Sequence, residues 1–205
     1  MAPRDGRCKV NMKDISLIGF MGCGKSSVGK ILATLLPECR LIDLDTYIEE
    51  KQGKNIPEIF NEYGEAAFRR MEREALEEIF SDKSRPRAIL SLGGGTVTSE
   101  QCRQLIRQHT DCFYLRATTD TLLDNLEGHS DGRPMLNPTQ PVEAQSTETS
   151  SEREALRHRI ESLMQTRSPQ YIATAHHIID IDGQTFAQIA EIIKEAVEAN
   201  SLNIK

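Results

Sequence analysis

The sequence predicts an α/β fold: a five-stranded parallel sheet covered by helices on both faces. Two observations carry that expectation. Short apolar runs of strand length alternate, along nearly the whole chain, with segments whose apolar residues recur at three and four. Such alternation belongs to parallel sheets. In addition, the glycine-rich string Gly19–Ser26 stands between the first apolar run and the first helical segment, where a strand must turn into a helix.

The elements follow in order. Ile15–Ile18 reads as a buried strand. Lys25–Leu36 reads as a helix with Val28, Ile31, Leu32 and Leu35 on one side. Leu41–Leu44 is the second strand, with a helix starting near Thr46. Asn55–Phe80 is mostly helical, its apolar residues at helical spacing and Gly64 interrupting or joining two helices. Ala88–Leu92 is the third strand and ends at Gly93-Gly94-Gly95. Glu100–Gln108 is a helix, Cys112–Leu115 the fourth strand and Thr119–Leu126 another helix. His129–Ser151 then changes character, being rich in Ser, Thr, Pro, Gln and Glu, and reads as a loop or lid. Glu152–Gln165 is helical, His177–Ile181 the fifth strand and Thr185–Ala199 the closing helix. The organisation expected is an N-terminal extension at 1–13, disordered, one domain at 14–200 with a lid at about 128–152, and a tail at 201–205. Met12 is a second candidate start beside Met1.

Composition narrows the function. The 205 residues carry a formal net charge of −6, which argues against a nucleic-acid surface. No segment is apolar for long enough to span a bilayer, and the opening residues lack the apolar core of a secretory signal. The five cysteines, Cys8, Cys23, Cys39, Cys102 and Cys112, show no CxxC spacing. That pattern suits a reducing cytoplasm better than a disulfide framework or a zinc site.

Gly19-Phe20-Met21-Gly22-Cys23-Gly24-Lys25-Ser26 matches GxxxxGK[ST] between a strand and a helix. Glycines let the backbone curl its N–H groups onto phosphate oxygens, and the helix N-terminus adds positive potential. Gly22, Cys23 and Gly24 are therefore candidate phosphate ligands through their backbone. Lys25 supplies charge to the β- and γ-phosphates of ATP, Ser26 a ligand for Mg²⁺, and Ser27 a donor to the α-phosphate. No NKxD string is present, and the one DxxG, Asp180–Gly183, lies too near the C-terminus for a switch loop. A GTPase is thereby disfavoured. The third strand lacks a terminal aspartate, which weakens a general ATPase reading.

Asp43 and Asp45 fall at the end of the second strand, the end that faces the ligand crevice in an open α/β sheet. Strand alternation places both on one face. One is suited to hold a Mg²⁺-bound water and the other to take a proton from a hydroxyl. Arg69 and Glu72 lie one helical turn apart. Gly93, Gly94 and Gly95 offer bare backbone at a strand's carboxyl end.

Together these strings make the chain resemble shikimate kinases, within the nucleoside-monophosphate-kinase-like P-loop class. They are GFMGCGKSSVGK at 19–30, LIDLDTYIE at 41–49, IFNEYGEAAFRRME at 59–72, LSLGGGTV at 90–97, GRPML at 132–136 and RSPQY at 167–171. The resemblance implies a three-layer P-loop kinase fold with a mobile lid and a monomeric enzyme that phosphorylates shikimate with ATP. It implies that Asp45 binds the shikimate diol and acts as base, and that Asp43 lies near the metal. It also implies that Arg69 and Arg167 grip the carboxylate, Gly93 to Gly95 line the acceptor site, and Arg133 closes on the phosphates. Two departures stand out. Leu122–Leu126 carries no arginine where family members often have one near the adenine, and the polar run near Pro138–Ser151 lengthens the lid. The alternatives are a gluconate or nucleoside monophosphate kinase, or an ATP-binding module without an acceptor.

Overall fold

A computed structural model describes residues 13–126 and 148–202, with side chains described over 13–126 and 152–200. Residues 128–147 of the expected lid with Arg133, residues 1–12 of the N-terminal extension and residues 203–205 of the tail lie outside the described residues.

Five parallel strands form the sheet in the order β2-β3-β1-β4-β5. They are β1 (Asp14–Ile18), β2 (Arg40–Asp43), β3 (Ala88–Ser91), β4 (Thr110–Arg116) and β5 (His177–Asp180). The helices are α1 (Lys25–Leu35), α2 (Leu44–Gln52), α3 (Ile56–Ser81), α4 (Glu100–His109), α5 (Thr119–Leu126), α6 (Glu148–Thr174) and α7 (Phe186–Leu202), with a 3₁₀ turn at Thr96–Thr98.

Alternation along the strands feeds two cores. Ile15, Leu17, Ile89, Phe113 and Leu115 meet Val28, Leu32, Ile189 and Ile193 of α1 and α7 on one face. Ile18, Leu90 and Tyr114 meet Leu76, Phe80, Ile106 and Tyr171 of α3, α4 and α6 on the other. Because both faces are covered, Ser16 is also buried, and it shares a 2.7 Å hydrogen bond with Thr110. A buried hydroxyl needs such a partner.

The boundaries at β2 and α6 differ from the sequence reading, while the break expected at Gly64 in α3 is present. Leu44 opens α2 instead of closing β2, because Asp43 caps the helix: its Oδ1 accepts from the N–H of Asp45 at 3.2 Å and of Thr46 at 3.5 Å. Helix α3 starts at an Asn55/Glu58 capping box and breaks at Gly64, whose φ of 76° and ψ of 170° lie outside the helical region. Helix α6 is longer than expected at both ends: it starts at Glu148, inside the stretch read as a lid, and runs to Thr174 with Pro169 inside it. Burial of Tyr171 and Thr174 beyond the proline outweighs the ordinary helix-breaking effect.

Candidate active site

Gly24 caps α1 with φ 86° and ψ 15°, a left-handed conformation that glycine adopts without strain. Its open face also carries the Phe186 ring, which a Cβ at Gly24 would overlap. Cys23 is wholly buried beneath the loop, and its N–H is already donated to Phe20 O at 3.2 Å, so the structure does not offer it to a ligand as the sequence reading expected. Lys25 is 8% exposed and donates to Gly19 O at 2.9 Å and Phe20 O at 3.0 Å. Its ammonium is thus pinned against the loop it serves.

Ser26 and Ser27 open α1 and line a cavity of about 570 Å³ at the carboxyl ends of the strands. The Ser26 hydroxyl donates to Asp43 Oδ2 at 2.9 Å and lies 3.2 Å from Ser91 Oγ. Hydroxyl and carboxylate oxygens at this spacing suit a small hard cation that takes its other ligands from phosphate and water. Ser91 occupies the end of β3 where the sequence lacked an aspartate.

Across the cavity, Asp45 sits in the first turn of α2. The cap turn, not strand alternation, brings it beside Asp43, which corrects the sequence argument while keeping the pair together. Burial foremost, then the nearby Glu72 and Asp43 carboxylates, push the Asp45 carboxyl up to about 7. Glu72 is completely buried. It accepts from Arg69 Nη1 at 2.7 Å and from the Thr96 hydroxyl. Burial raises its pKa against the opposing pull of Arg69 and Thr96. Arg69 also donates through Nη2 to Glu65 at 2.9 Å.

Three buried side-chain polar atoms lack a partner among the described residues, and two of them, Asp45 Oδ1 and Arg69 Nε, belong to this cavity's lining residues. Native proteins rarely leave such atoms unmet, so these two mark where a polar ligand belongs. Arg167, 4% exposed, approaches from α6 and places Nη1 3.5 Å from Gly94 O.

The glycine turn is needed for space. A Cβ at Gly93 would come within 2.9 Å of Asp45 Oδ1, one at Gly94 within 3.2 Å of the Met21 N, and one at Gly95 would overlap the Arg69 guanidinium. Each glycine therefore touches a different component: the carboxylate, the phosphate loop and the arginine.

Except for Arg133, every candidate named from the sequence lies in or directly under this one cavity. A sequence profile of the shikimate kinase family matches residues 21–198. The chain belongs to the shikimate kinase family. A shikimate kinase from Thermus thermophilus is 35% identical over 184 residues, covering 90% of this chain and 88% of that protein. Another, from Sulfurihydrogenibium, is 36% identical and covers 89% and 96%. The structure of a shikimate kinase from Acinetobacter baumannii in complex with shikimate superimposes with a TM-score of 0.76 at 30% identity, covering 93% of this chain and 96% of that one.

Against that family background, the sequence reading missed several residues. Glu72 was legible as Arg69's partner but not as a buried one. Tyr171, within the RSPQY string, donates its hydroxyl to Gly94 O at 2.5 Å. Asn125 donates to Gly22 O at 2.9 Å, and Leu126 packs on Gly22, so α5 meets the phosphate loop through an amide and an apolar contact. Phe186, 38% exposed, lines the cavity with its ring against Gly24. An exposed aromatic at the head of a helix is the signal that could have found it.

Proposed function

We propose that the chain transfers the terminal phosphoryl group of ATP to a hydroxyl of shikimate, giving shikimate 3-phosphate and ADP for aromatic amino acid biosynthesis. The observation that carries this reading is one cavity holding the phosphate loop, the unpartnered Asp45 oxygen and two largely buried arginines. Shikimate is a carboxylate bearing vicinal hydroxyls. Guanidinium forks suit the first and a buried carboxylate the second.

Phosphates lie against the loop at Gly22 and Gly24, with Lys25 neutralising the β- and γ-oxygens and Ser27 reaching the α-phosphate. Phe186 gives the base an apolar face. Arg69 and Arg167 hold the acceptor carboxylate, and the Gly93 to Gly95 turn lets the ring lie close. The hydroxyl oxygen attacks the γ-phosphorus as the bond to the β–γ bridging oxygen breaks, ADP leaves with that electron pair, and Asp45 takes the hydroxyl proton. Asp45 can do so because its affinity for a proton is raised toward neutrality. Ser26 and Asp43 would hold Mg²⁺, which would supply charge neutralisation on the phosphate oxygens. Arg133 keeps the role that the sequence resemblance gives it. No helix among the described residues is long and apolar enough to cross a membrane. We place the enzyme in the cytoplasm as a monomer.

The test is ADP release from purified protein with Mg-ATP and, separately, shikimate, gluconate, nucleoside monophosphates or no acceptor. Shikimate alone should give sustained turnover. Good turnover of gluconate or a monophosphate with none of shikimate would overturn the reading, and acceptor-independent ATP binding without turnover would favour a binding module.

A further inference from the structure

Arg167 and Tyr171 are one turn apart on α6, so they face the same way. Both are buried, at 4% and 0% exposure, and both meet one atom, the Gly94 carbonyl oxygen. The Tyr171 hydroxyl donates to it at 2.5 Å, and Arg167 Nη1 lies 3.5 Å away. A carbonyl oxygen can accept two hydrogen bonds, and the Tyr171 hydroxyl makes the shorter of the two here. Burial raises the Tyr171 pKa well above its ordinary value, so the hydroxyl stays a proton donor at working pH. Its ring is held by a stack on Tyr114, with centroids 4.9 Å apart and planes at 21°.

The peptide between Gly94 and Gly95 is therefore clamped from one side. A peptide is planar, so fixing the Gly94 carbonyl also fixes the Gly95 N–H in the opposite direction. Gly95 itself lies against Arg69 closely enough that a Cβ there would overlap the guanidinium. Gly94 rests on the phosphate loop near the Met21 N. Two adjacent glycines lack the steric limits that keep other peptides from flipping. Within the turn the Thr96 N–H donates to Gly93 O at 3.2 Å, and Thr98 donates to Gly95 O through its N–H at 2.9 Å and its hydroxyl at 2.7 Å, but none of these bonds is made to the Gly94 carbonyl.

We infer that Tyr171 is a positioning residue: its hydroxyl locks the Gly94–Gly95 peptide, and that peptide spaces Arg167 from Arg69 for the acceptor carboxylate. The inference rests on assigning those arginines and the glycine turn to the acceptor. Tyr171 touches no reacting atom. Its effect should appear in acceptor affinity and leave the phosphate end alone.

Tyr171→Phe keeps the ring and its stack and deletes only the hydroxyl. In steady-state assays of the full chain, the shikimate KM should rise about three- to tenfold, the range expected for losing one neutral hydrogen bond. The ATP KM and kcat should stay within about twofold. Tyr114→Phe is the control, because it alters the other ring of the same stack, whose hydroxyl meets Ser168, without touching Gly94. It should leave the shikimate KM unchanged even if the melting temperature falls. A shikimate KM unmoved by Tyr171→Phe but raised by Arg167→Ala would overturn the inference and leave the acceptor assignment standing. Equal rises in Tyr171→Phe and Tyr114→Phe would also overturn it, reducing the effect to packing. An unchanged KM in Arg167→Ala would remove the assignment on which the inference rests.

Discussion

At the carboxyl ends of the strands, Asp45 and Arg69 bury polar atoms that no other group among the described residues meets; at the amino ends of the same strands, Asp14, Asp111 and His176 are all paired. Asp14 receives both arms of Arg85 and the Ala88 N–H, the latter at 2.8 Å. Asp111 holds His177 at 3.0 Å and Asn200 at 2.8 Å. His176 accepts the Cys112 N–H on Nδ1 at 3.0 Å. Both ends are polar and partly buried, so burial of charge alone does not mark the site. What separates them is satisfaction: Asp14, Asp111 and His176 find their partners within the chain, and Asp45 Oδ1 and Arg69 Nε find none among the described residues.

The comparison is tested most severely at Asp45. Asp45→Asn removes the base while keeping shape, and kcat should fall about 10²- to 10⁴-fold, the usual contribution of a general base. Stability should move the other way. The Asp45 carboxyl is pushed up to about 7 by burial and then by Glu72 and Asp43. The folded protein therefore keeps a proton there that the unfolded chain releases near pH 4. Raising the pH from about 4 to 8 takes stability away at this site. Thermal melts at pH 8 should show the Asp45→Asn protein at least as stable as the parent. A large loss of stability with normal turnover would mean that Asp45 is structural and that the contrast between the two ends is false.

Arg69 gives the next largest effect. Its Nη1 and Nη2 are spent on Glu72 and Glu65, while Nε is unmet. Arg69→Ala should raise the shikimate KM about ten- to a hundredfold, from a charged hydrogen bond of about 1.5–3 kcal/mol. Arg69→Lys should recover little of it, because a lysine cannot present a planar fork to the acceptor and to Glu72 together. Steady-state kinetics with shikimate as the varied substrate decides this. An unchanged KM in Arg69→Ala would assign the guanidinium to neutralising Glu72 alone.

These two sites also show what the sequence could and could not disclose. The phosphate loop was fully legible, because a contiguous string of glycines, lysine and serine dictates its own backbone path. Parallel strands buried on both faces were legible from short apolar runs. Asp45 was found for a partly mistaken reason: the pleat of a strand was invoked where a helix cap does the work. Glu72 shows the limit more sharply. Spacing revealed its pairing with Arg69, but its complete burial depends on Thr96, which arrives from a turn after β3. The same holds for Tyr171 and Phe186, whose partners Gly94 and Gly24 are remote in sequence. Local chemistry can be read along the chain, and burial cannot.

The smallest effect expected lies at the satisfied end, and its sign is opposite to that at Asp45. His176 accepts the Cys112 N–H on Nδ1, so its ring is neutral with the proton on Nε2. Its pKa is lowered, first by burial of the ring's bonded edge, with Arg107, Lys13 and His177 adding to this against the pull of Asp111. At pH 8 the imidazole is neutral in both folded and unfolded chains. As the pH falls, the unfolded chain takes up the proton first, and stability is lost. His176→Asn places an amide oxygen near the position of Nδ1, retaining an acceptor that does not titrate. The variant should melt close to the parent at pH 8 and lose less stability than the parent between pH 7 and 5. Comparing the two proteins at each pH cancels the contribution of Asp45, which runs the other way. The difference should not exceed the value of one hydrogen bond, about 0.5–1.5 kcal/mol, because much of the residue faces solvent. Activity under saturating substrates should be unchanged at pH 8. If the two pH profiles coincide, His176 does not sense acid. If instead the variant loses turnover at pH 8, the amino ends of the strands are coupled to the chemistry and the division between the two ends fails.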